Sequence, residues 1–324
     1  MPDTKGGMHG QIKLFTGTGS VALAEEISQH LGVSLSPRDI TQFPNENIFI
    51  QLGESIRGQD VFLVQTMAPP VSHNILELLI FLDALKRASP DRVTAVIPYF
   101  SYARSDKKDQ PRVPITARLM ADVIEVAGAD RYMTLDLHAD QIQGFFSIQG
   151  DALTCFPILS DYLREKDLRS AVVVAADLGF AKKARNLAAE LDMPLALVEK
   201  RRISVDTEAL TLVGEVDDHD VIIVDDEVDT GGTMTNAVKM VQDHGARDIY
   251  LSFAHALFSP PAVERLQKLP VEEIVTTNSI RLPPEKQLPN LTVLSVAHLL
   301  AEVIQRVHEG CSVGEIFQRY QRYK

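Results

Sequence analysis

The sequence predicts an α/β protein built from two copies of one domain, each with a mostly parallel central sheet flanked by helices. The chain has 324 residues, which is enough for two domains of ordinary size. Residues 221–224 are four consecutive β-branched apolar residues, a run typical of a strand buried on both faces of a parallel sheet. Similar strands alternate with amphipathic helices along the chain, and this order favours βαβ units.

The two halves of the chain repeat one order of elements. In the first half we expect short strands within 33–50, strands at 11–15, 60–65 and 93–100, and helices at 21–31 and 74–88. Residues 171–202 repeat the order of residues 11–50, and DVIIVDD and DIYLSFAHAL match DVFLVQ and VTAVIPYF of the first half. We therefore expect an N-terminal domain at 9–150 and a C-terminal domain at 151–324, with a disordered leader at 1–10.

The composition argues against several classes of protein. The net charge of −12 opposes general nucleic-acid binding, which requires a basic face. No apolar run is long enough to span a membrane, and no signal peptide is evident. The two cysteines show neither metal-site spacing nor a disulfide framework. We therefore expect a cytoplasmic protein that binds neither nucleic acid nor membranes.

A group of acids and a glycine loop follow the strand at 221–224 and precede a predicted helix. Glycines let the backbone approach an anion, and a helix N-terminus presents unpaired N–H groups to it. Carboxylates repel a phosphate but accept hydrogen bonds from the hydroxyls of a ribose. The stretch therefore predicts a sugar-phosphate pocket formed by Asp225, Asp226, Asp229, Thr230, Gly231, Gly232 and Thr233.

Two other interpretations of this stretch stay open. It also fits a strand-to-helix turn with an acidic cap, and apolar residues followed by acids are typical of a Walker-B strand. The chain contains no GK dipeptide, and therefore no Walker-A loop that would accompany such a strand. The first half has MAPPVSHN in place of the glycine loop, so we expect only the second domain to hold the sugar phosphate.

Three further segments carry candidate functional residues, and each has a structural alternative. His138 stands between acids after a strand, as a metal ligand or as a structural histidine. The loop at 99–115 carries arginines and lysines that suit a triphosphate but also suit a solvated loop. Lys200, Arg201 and Arg202 end a predicted strand, where they suit an anion or protect an exposed strand edge.

Several motifs resemble those of one enzyme family. VDDxxDTGGT is similar to the phosphoribosyl-diphosphate loop that phosphoribosyltransferases share with ribose-phosphate diphosphokinases (PRPP synthetases). DLHAxQIQGFF, ELLIxxxDALKRA and HEGxSVxxxF are similar to motifs of PRPP synthetases, and the resemblance runs from about Lys13 to Phe317. It implies two tandem duplicated phosphoribosyltransferase-like domains, with Mg²⁺, ATP and ribose 5-phosphate as ligands.

The resemblance also implies roles for individual residues. His138 would bind the Mg²⁺ of the nucleotide, with Asp136 near it, and Asp177 would help to bind metal and ribose phosphate. Lys200 and Arg202 would stabilise the transition state from a mobile loop. The nucleotide-binding residues implied in the same way are Phe43, Asn45, Asn47, Arg104, Ser105 and Asp106.

Some of these positions depart from the family pattern. Asn45 and Asn47 replace an Asp and a Glu that meet the edge of adenine in the family. Because an amide donates as well as accepts hydrogen bonds, the base specificity stays open. The other departures are Ser105 for a usual Gln, Ser147 for a usual acid, and Ala176 and Phe180 for the Pro and Gly around Asp177.

Three functions fit these motifs. The first is a Mg²⁺-dependent ribose-phosphate diphosphokinase, which uses ATP or another nucleotide as the donor. The second is a non-catalytic relative that regulates an active synthetase; the altered positions favour it, and the kept acids and cations oppose it. The third is a phosphoribosyltransferase, which the duplicated first domain opposes. The resemblance further implies a homo-oligomer, a hexamer built from dimers.

Overall fold

The computed structural model describes residues 9–168, 170–202 and 208–316, with the backbone alone at 200–202 and 208–209. The expected leader therefore lies mostly outside the described residues. The described chain divides into two compact units. The first unit contains residues 9–154, Ser279–Arg281 and 295–316, and the second contains the rest of the described chain.

The chain alternates strands and helices from one end to the other. The strands are β1 Ile12–Thr16, β2 Arg38–Gln42, β3 Ile48–Leu52, β4 Asp60–Val64, β5 Arg92–Ile97, β6 Arg131–Leu135, β7 Gln149–Leu153, β8 Val172–Ala175, β9 Leu195–Arg202, β10 Glu208–Val213, β11 Val221–Val228, β12 Ile249–Ala256, β13 Glu273–Thr277 and β14 Leu291–Leu294. The α-helices are α1 Val21–Leu31, α2 Val71–Arg87, α3 Thr116–Ala127, α4 Phe156–Arg164, α5 Ala181–Leu191, α6 Gly232–Asp243, α7 Ala262–Gln267 and α8 Ala297–Glu309.

The first unit is organised around a five-stranded parallel sheet in the order β1-β4-β5-β6-β7. All five residues of β4 are buried, which explains why the four residues that follow Asp60 form an apolar run. On α2, Leu78, Leu82 and Leu85 repeat at helical spacing and are fully buried in the core of this unit. Each such side chain contributes roughly 1.5–3 kcal/mol by leaving water. The antiparallel pair β2–β3 forms a separate hairpin.

The second unit is organised around a seven-stranded mixed sheet in the order β10-β9-β8-β11-β12-β13-β14. Only β10 runs antiparallel within the described strands of this sheet. The central strand β11 lies between β8 and β12, and α6 buries Ala237, Val238 and Val241 in the same core. Two mostly parallel sheets flanked by helices confirm the predicted α/β fold.

The structure differs from the sequence-based element boundaries at several places. α2 begins at Val71, three residues before the expected start, because the chain leaves the Pro69-Pro70 pair directly into the helix. β11 continues to Val228, so Asp225 and Asp226, which were expected after the strand, lie within it, whereas Asp229 follows it. The junction expected near residue 150 falls inside β7. α8 belongs to the first unit, although its sequence lies beyond residue 151.

Within the described parts of the chain, no helix combines the length and the apolar character that crossing a membrane requires.

Candidate active site

The glycine loop, residues 230–233, joins β11 to the N-terminus of α6. Gly231 precedes α6 with φ 74° and ψ 7°, a left-handed conformation that costs other L-residues roughly 1–2 kcal/mol. Thr230 and Thr233 are exposed on either side of it. The first N–H groups of α6 have no carbonyl one turn before them, so they are available to an anion. The loop therefore leads from a strand into a helix N-terminus, and its role as a phosphate site stays a prediction.

Three consecutive acids occupy the second half of β11. The Asp226 N–H donates to Asp225 Oδ1 and the Glu227 N–H donates to Asp226 Oδ1, both at 2.9 Å. Burial raises the pKa of Asp225 well above its ordinary value, and repulsion from Asp226 and Asp177 raises it further. A negative charge at this position is thus destabilised by its surroundings. A cation or the hydroxyl donors of a sugar would relieve that destabilisation.

Asp177 lies just after β8, the strand that pairs with β11 through Ala175 and Val224. It therefore stands at the same carboxyl edge of the sheet as Asp225. The backbone N–H of Phe180 donates to Asp177 Oδ1 at 3.0 Å. Phe180 has φ −91°, so its position does not require a glycine. Its buried ring lies 5.6 Å from the ring of Phe156, and this packing explains how a phenylalanine fits there.

The acids at this edge fit Mg²⁺ by their chemistry. Oxygen ligands suit this ion, which usually binds one or two carboxylates together with water and substrate phosphates. Burial and repulsion from Asp226 and Asp177 raise the pKa of Asp225, so a bound cation would relieve the destabilised charge at this position. In the chain as far as it is described, no three His, Cys, Asp or Glu side chains are grouped to hold a metal ion by themselves.

The first unit presents the other two predicted metal ligands. Asp136 has φ 41° at the end of β6, and its carboxylate accepts a hydrogen bond from Thr154 Oγ1 at 2.6 Å. Its own N–H donates to the Leu153 carbonyl at 2.9 Å. Asp136 is 5% exposed, whereas His138 is exposed. Asp136 therefore anchors the segment that carries His138. The third predicted metal ligand, Asp177, belongs to the second unit.

The predicted nucleotide loop contains both an exposed and a buried part. Arg104 is exposed, and the Ser105 N–H donates to the Tyr102 carbonyl at 2.8 Å. Asp106 is only 8% exposed, and its Oδ2 accepts a hydrogen bond from Gln141 Nε2 at 2.5 Å. The loop at 99–115 and the segment that carries His138 are therefore held together by a buried carboxylate.

The predicted base-binding residues lie at the turn between β2 and β3. The Phe43 N–H donates to the Asn47 carbonyl at 2.9 Å, and the Asn47 N–H donates to Asn45 Oδ1 at 3.3 Å. Phe43 and Phe49 are each 47% exposed, with ring centroids 6.1 Å apart. The hairpin thus presents two aromatic rings and two amides at the surface of the first unit.

The two predicted catalytic cations lie at the end of β9. This strand pairs in antiparallel fashion with β10, with Lys200 opposite Leu210 and Arg202 opposite Glu208. The side chains of Lys200 and Arg202 lie outside the described residues.

Two residues at these sites were not found by sequence reasoning. Gln141 lies inside the DLHADQIQGFF motif, and this position could have indicated that it is functional. Its hydrogen-bond partner Asp106 could not be inferred from the sequence. Arg265, on α7, donates from Nη1 to the Thr230 carbonyl at 2.9 Å. It lies 35 residues after Thr230 in a segment without any recognisable motif, and only the fold brings it to the loop.

Two family models match the chain. One describes the N-terminal domain of ribose phosphate pyrophosphokinase and matches residues 12–128. The other describes a phosphoribosyl synthetase-associated domain and matches residues 201–318.

Curated proteins and a solved structure are similar over nearly the whole chain. The ribose-phosphate pyrophosphokinase of Caldanaerobacter subterraneus is 46% identical, over 94% of this chain and 98% of that protein. The enzyme of the same name from a Nostoc species is 45% identical, over 95% of this chain and 94% of that protein. The crystal structure of phosphoribosylpyrophosphate synthetase from Mycobacterium smegmatis superimposes with a TM-score of 0.89 at 39% identity, covering 93% of this chain and 99% of that one. Identity at this level over this length shows that the chain belongs to the ribose-phosphate pyrophosphokinase family.

Proposed function

We propose that this chain transfers the β,γ-diphosphoryl group of ATP to the 1-hydroxyl of ribose 5-phosphate, giving phosphoribosyl diphosphate and AMP. The observation that carries this proposal is the segment from β11 to α6. There, acids whose charge is destabilised stand directly before a glycine loop at a helix N-terminus. Ribose 5-phosphate offers hydroxyl donors for the acids and a phosphate for the loop. Membership in the family supports the same reaction.

The second unit would hold the acceptor. The phosphate would bind the backbone N–H groups and hydroxyls of Thr230, Gly231, Gly232 and Thr233. The ribose hydroxyls would donate to Asp225, Asp226 and Asp229. Phosphate and ribose would thus be bound by different kinds of group, which orients the 1-hydroxyl.

The first unit would hold the nucleotide. The exposed ring of Phe43 can stack on a base, and the amides of Asn45 and Asn47 can read its edge. Arg104 can pair with the triphosphate. Ser105 and Asp106 shape the same loop, the latter through its hydrogen bond with Gln141.

Mg²⁺ would be the cofactor, with His138 on the nucleotide side, Asp136 supporting that segment, and Asp177 at the acceptor side. The ion would neutralise charge on the phosphate oxygens during transfer. It would also allow an acidic protein to bind an anionic substrate.

The reaction would be an in-line displacement without a covalent enzyme intermediate. The 1-hydroxyl oxygen of the sugar forms a bond to the β-phosphorus, and the bond from that phosphorus to the bridging oxygen of AMP breaks. The hydroxyl proton is released to solvent. Lys200 and Arg202 would stabilise the charge that develops on the transferred group.

The remaining features of the proposal come from the internal repeat, the composition and the resemblance. The N-terminal domain at 9–150 would be the nucleotide and Mg²⁺ side, and the C-terminal domain at 151–324 the ribose 5-phosphate side. A homo-oligomer, a hexamer built from dimers, and a cytoplasmic location also stay predictions.

Nucleotide products identify the reaction directly. The protein is incubated with Mg²⁺, ribose 5-phosphate and ATP, GTP, CTP or UTP in separate reactions, and the products are separated by chromatography. We expect AMP only when ribose 5-phosphate is present. A monophosphate from a different nucleotide would make the exposed Asn45 and Asn47 a specificity switch. The absence of any monophosphate from a folded protein would contradict the proposed reaction.

The negative control for this assay is the Asp226→Asn variant, which lacks one carboxylate of the proposed ribose site. It should abolish AMP formation while ATP binding to the first unit is kept.

A further inference from the structure

The carbonyl oxygens beside the glycine loop are held by donors. The Val228 carbonyl, at the end of β11, accepts hydrogen bonds from the N–H groups of Leu257 and Phe258 at 3.0 and 3.1 Å. The Gly231 carbonyl accepts from the Thr235 N–H at 3.0 Å and from Thr235 Oγ1 at 2.8 Å. Because a carbonyl oxygen repels a phosphate, such bonds leave the N–H side of the loop to the anion.

The Thr230 carbonyl lies between the Val228 and Gly231 carbonyls in the chain. It accepts its hydrogen bond from a side chain of α7. Arg265 Nη1 donates to it at 2.9 Å. The same Nη1 atom lies 3.7 Å from the position that a β-carbon on Gly232 would occupy. The guanidinium group therefore lies against the backbone on both sides of Gly231.

The helix that carries Arg265 is fixed against the loop. Ala262 and Leu266 of α7 are buried, and the Arg265 N–H donates to the Pro261 carbonyl at 3.0 Å. A β-carbon on Gly231 would lie 3.6 Å from the Ala262 Cα atom, which is ordinary contact. The base of the arginine is thus rigid, while its side chain is exposed.

The charge of Arg265 also matters, because the neighbouring acids are repelled by one another. Asp225, Asp226 and Asp177 surround the ribose end of the site with negative charge. An incoming phosphate dianion must approach that charge. Arg265 places a guanidinium group at the other end of the glycine loop, with five N–H donors of which one is on Thr230.

We infer that Arg265 is a positioning residue of the ribose 5-phosphate site: it turns the Thr230 carbonyl away from the phosphate and places a positive charge beside the loop. This inference rests on the proposed function, since the anion concerned is the 5-phosphate of the acceptor. Arg265 acts through the loop and takes no part in breaking or forming a bond.

Three variants test the inference in the full chain. Arg265→Ala removes the donor and the charge, Arg265→Lys keeps a charged donor, and Lys268→Ala removes a similar charge from the residue that directly follows the same helix. Lys268 is a matched control because its ammonium lies 2.6 Å from Glu264 rather than at the loop. The readouts are kcat, the KM values for ribose 5-phosphate and ATP, and competitive inhibition by inorganic sulfate.

We expect Arg265→Ala to raise the KM for ribose 5-phosphate about tenfold, the effect of losing one hydrogen bond from a charged donor. Sulfate should inhibit this variant correspondingly less, and the KM for ATP should change less than about twofold. Arg265→Lys should recover most of the loss, and Lys268→Ala should behave as the unchanged protein.

The inference is overturned if Arg265→Ala leaves the KM for ribose 5-phosphate unchanged, if both substrates are affected equally, or if Lys268→Ala has the same effect. An unchanged protein that forms no AMP would instead contradict the proposed function. In that case calorimetry compares the affinity of the unchanged protein and of Arg265→Ala for ribose 5-phosphate. Weaker binding to the variant would support the role of Arg265, and equal affinities would contradict it.

Discussion

Gln141 Nε2 donates to Asp106 Oδ2 at 2.5 Å and so joins two segments of the first unit that are 35 residues apart. Both segments were predicted to be functional, one for the nucleotide and one for the metal. Asp106 is 8% exposed, and a hydrogen bond to a charged group contributes roughly 1.5–3 kcal/mol. This bond therefore contributes to the relative position of the two segments.

Gln141→Ala should weaken nucleotide binding without removing any group that contacts the nucleotide. Because Asp106 would lose its partner, we expect the KM for ATP to rise about tenfold and the KM for ribose 5-phosphate to change less. Steady-state kinetics with each substrate varied in turn measures the difference. Asp140→Asn, an exposed change at the neighbouring position, is the control, since both residues lie in the short 3-10 helix Asp140–Phe145. Equal effects of both variants would rule out a role for the Gln141–Asp106 bond.

Asp225→Asn should stabilise the protein at neutral pH in the absence of a metal ion. The pKa of Asp225 is raised by burial and by neighbouring acids, so the folded state favours its protonated form. The contribution of Asp225 to the free energy of unfolding is therefore most favourable below its ordinary pKa of 3.8. This contribution is lost as the pH rises through the folded-state pKa. Removing the charge should therefore raise Tm at pH 7, by roughly 2–4 °C for each kcal/mol of relieved repulsion.

The Asp225 effect should depend on pH and on Mg²⁺. Thermal unfolding in EDTA should show no difference between the two proteins near pH 3 and a growing difference toward pH 7. Addition of Mg²⁺ should stabilise the unchanged protein more than the variant. The exposed Asp248→Asn serves as the control and should show neither trend. A lower Tm for Asp225→Asn across the whole pH range would contradict the assigned cause of the pKa shift.

Gly231→Ala should impair ribose 5-phosphate binding beyond its effect on stability. Gly231 has φ 74°, and Gly32, at the end of α1 in the first unit, has φ 66°. An alanine at either position carries similar backbone strain, roughly 1–2 kcal/mol. Both variants should lower Tm by a similar amount, but only Gly231→Ala should raise the KM for ribose 5-phosphate. If Gly32→Ala raised that KM as well, the effect would be one of general stability.

Lys200→Ala should lower turnover far more than it lowers stability. A positive group aimed at developing charge typically contributes on the order of 10²–10³ in rate. We therefore expect kcat to fall by about that factor with Tm unchanged. Arg201→Ala removes one positive charge at the next position and should have a much smaller effect on kcat. Similar kcat values for the two variants would contradict the catalytic role of Lys200.

The fold was largely readable from the sequence because its strands are buried on both faces. The apolar run at 221–224 and its counterpart in β4 are typical of strands in covered parallel sheets, and helices alternate with the strands along the chain. The end of β11 was harder to place, because acids are uncommon in strands. Pairing with β12 extends the strand through Glu227, which lies opposite His255.

The long-range grouping of the chain could not be predicted. α8 packs in the first unit, where the His308 ring and the Arg92 guanidinium both contact the buried carboxylate of Asp60. Asp60 and His308 are 248 positions apart in the sequence, and no local sequence pattern links them.

The sequence indicated those parts of the candidate site whose residues are neighbours in the chain, and not the contacts between distant segments. The glycine loop and its acids are contiguous, so their spacing was enough to predict a sugar-phosphate pocket, which stays a prediction. Arg265 and the partner of Gln141 were not predicted, because each contact depends on how separate elements pack. Phe180 was an unexplained departure in the sequence, and its packing against Phe156 now accounts for it.

The most direct test of the account is to follow phosphorus during the reaction. Phosphorus NMR of the protein with ATP, ribose 5-phosphate and Mg²⁺ distinguishes free nucleotides from a diphosphate bonded to a sugar carbon. We expect AMP and a sugar-linked diphosphate to appear at equal rates, with no ADP. Formation of ADP, or of AMP without ribose 5-phosphate, would contradict diphosphoryl transfer to the 1-hydroxyl.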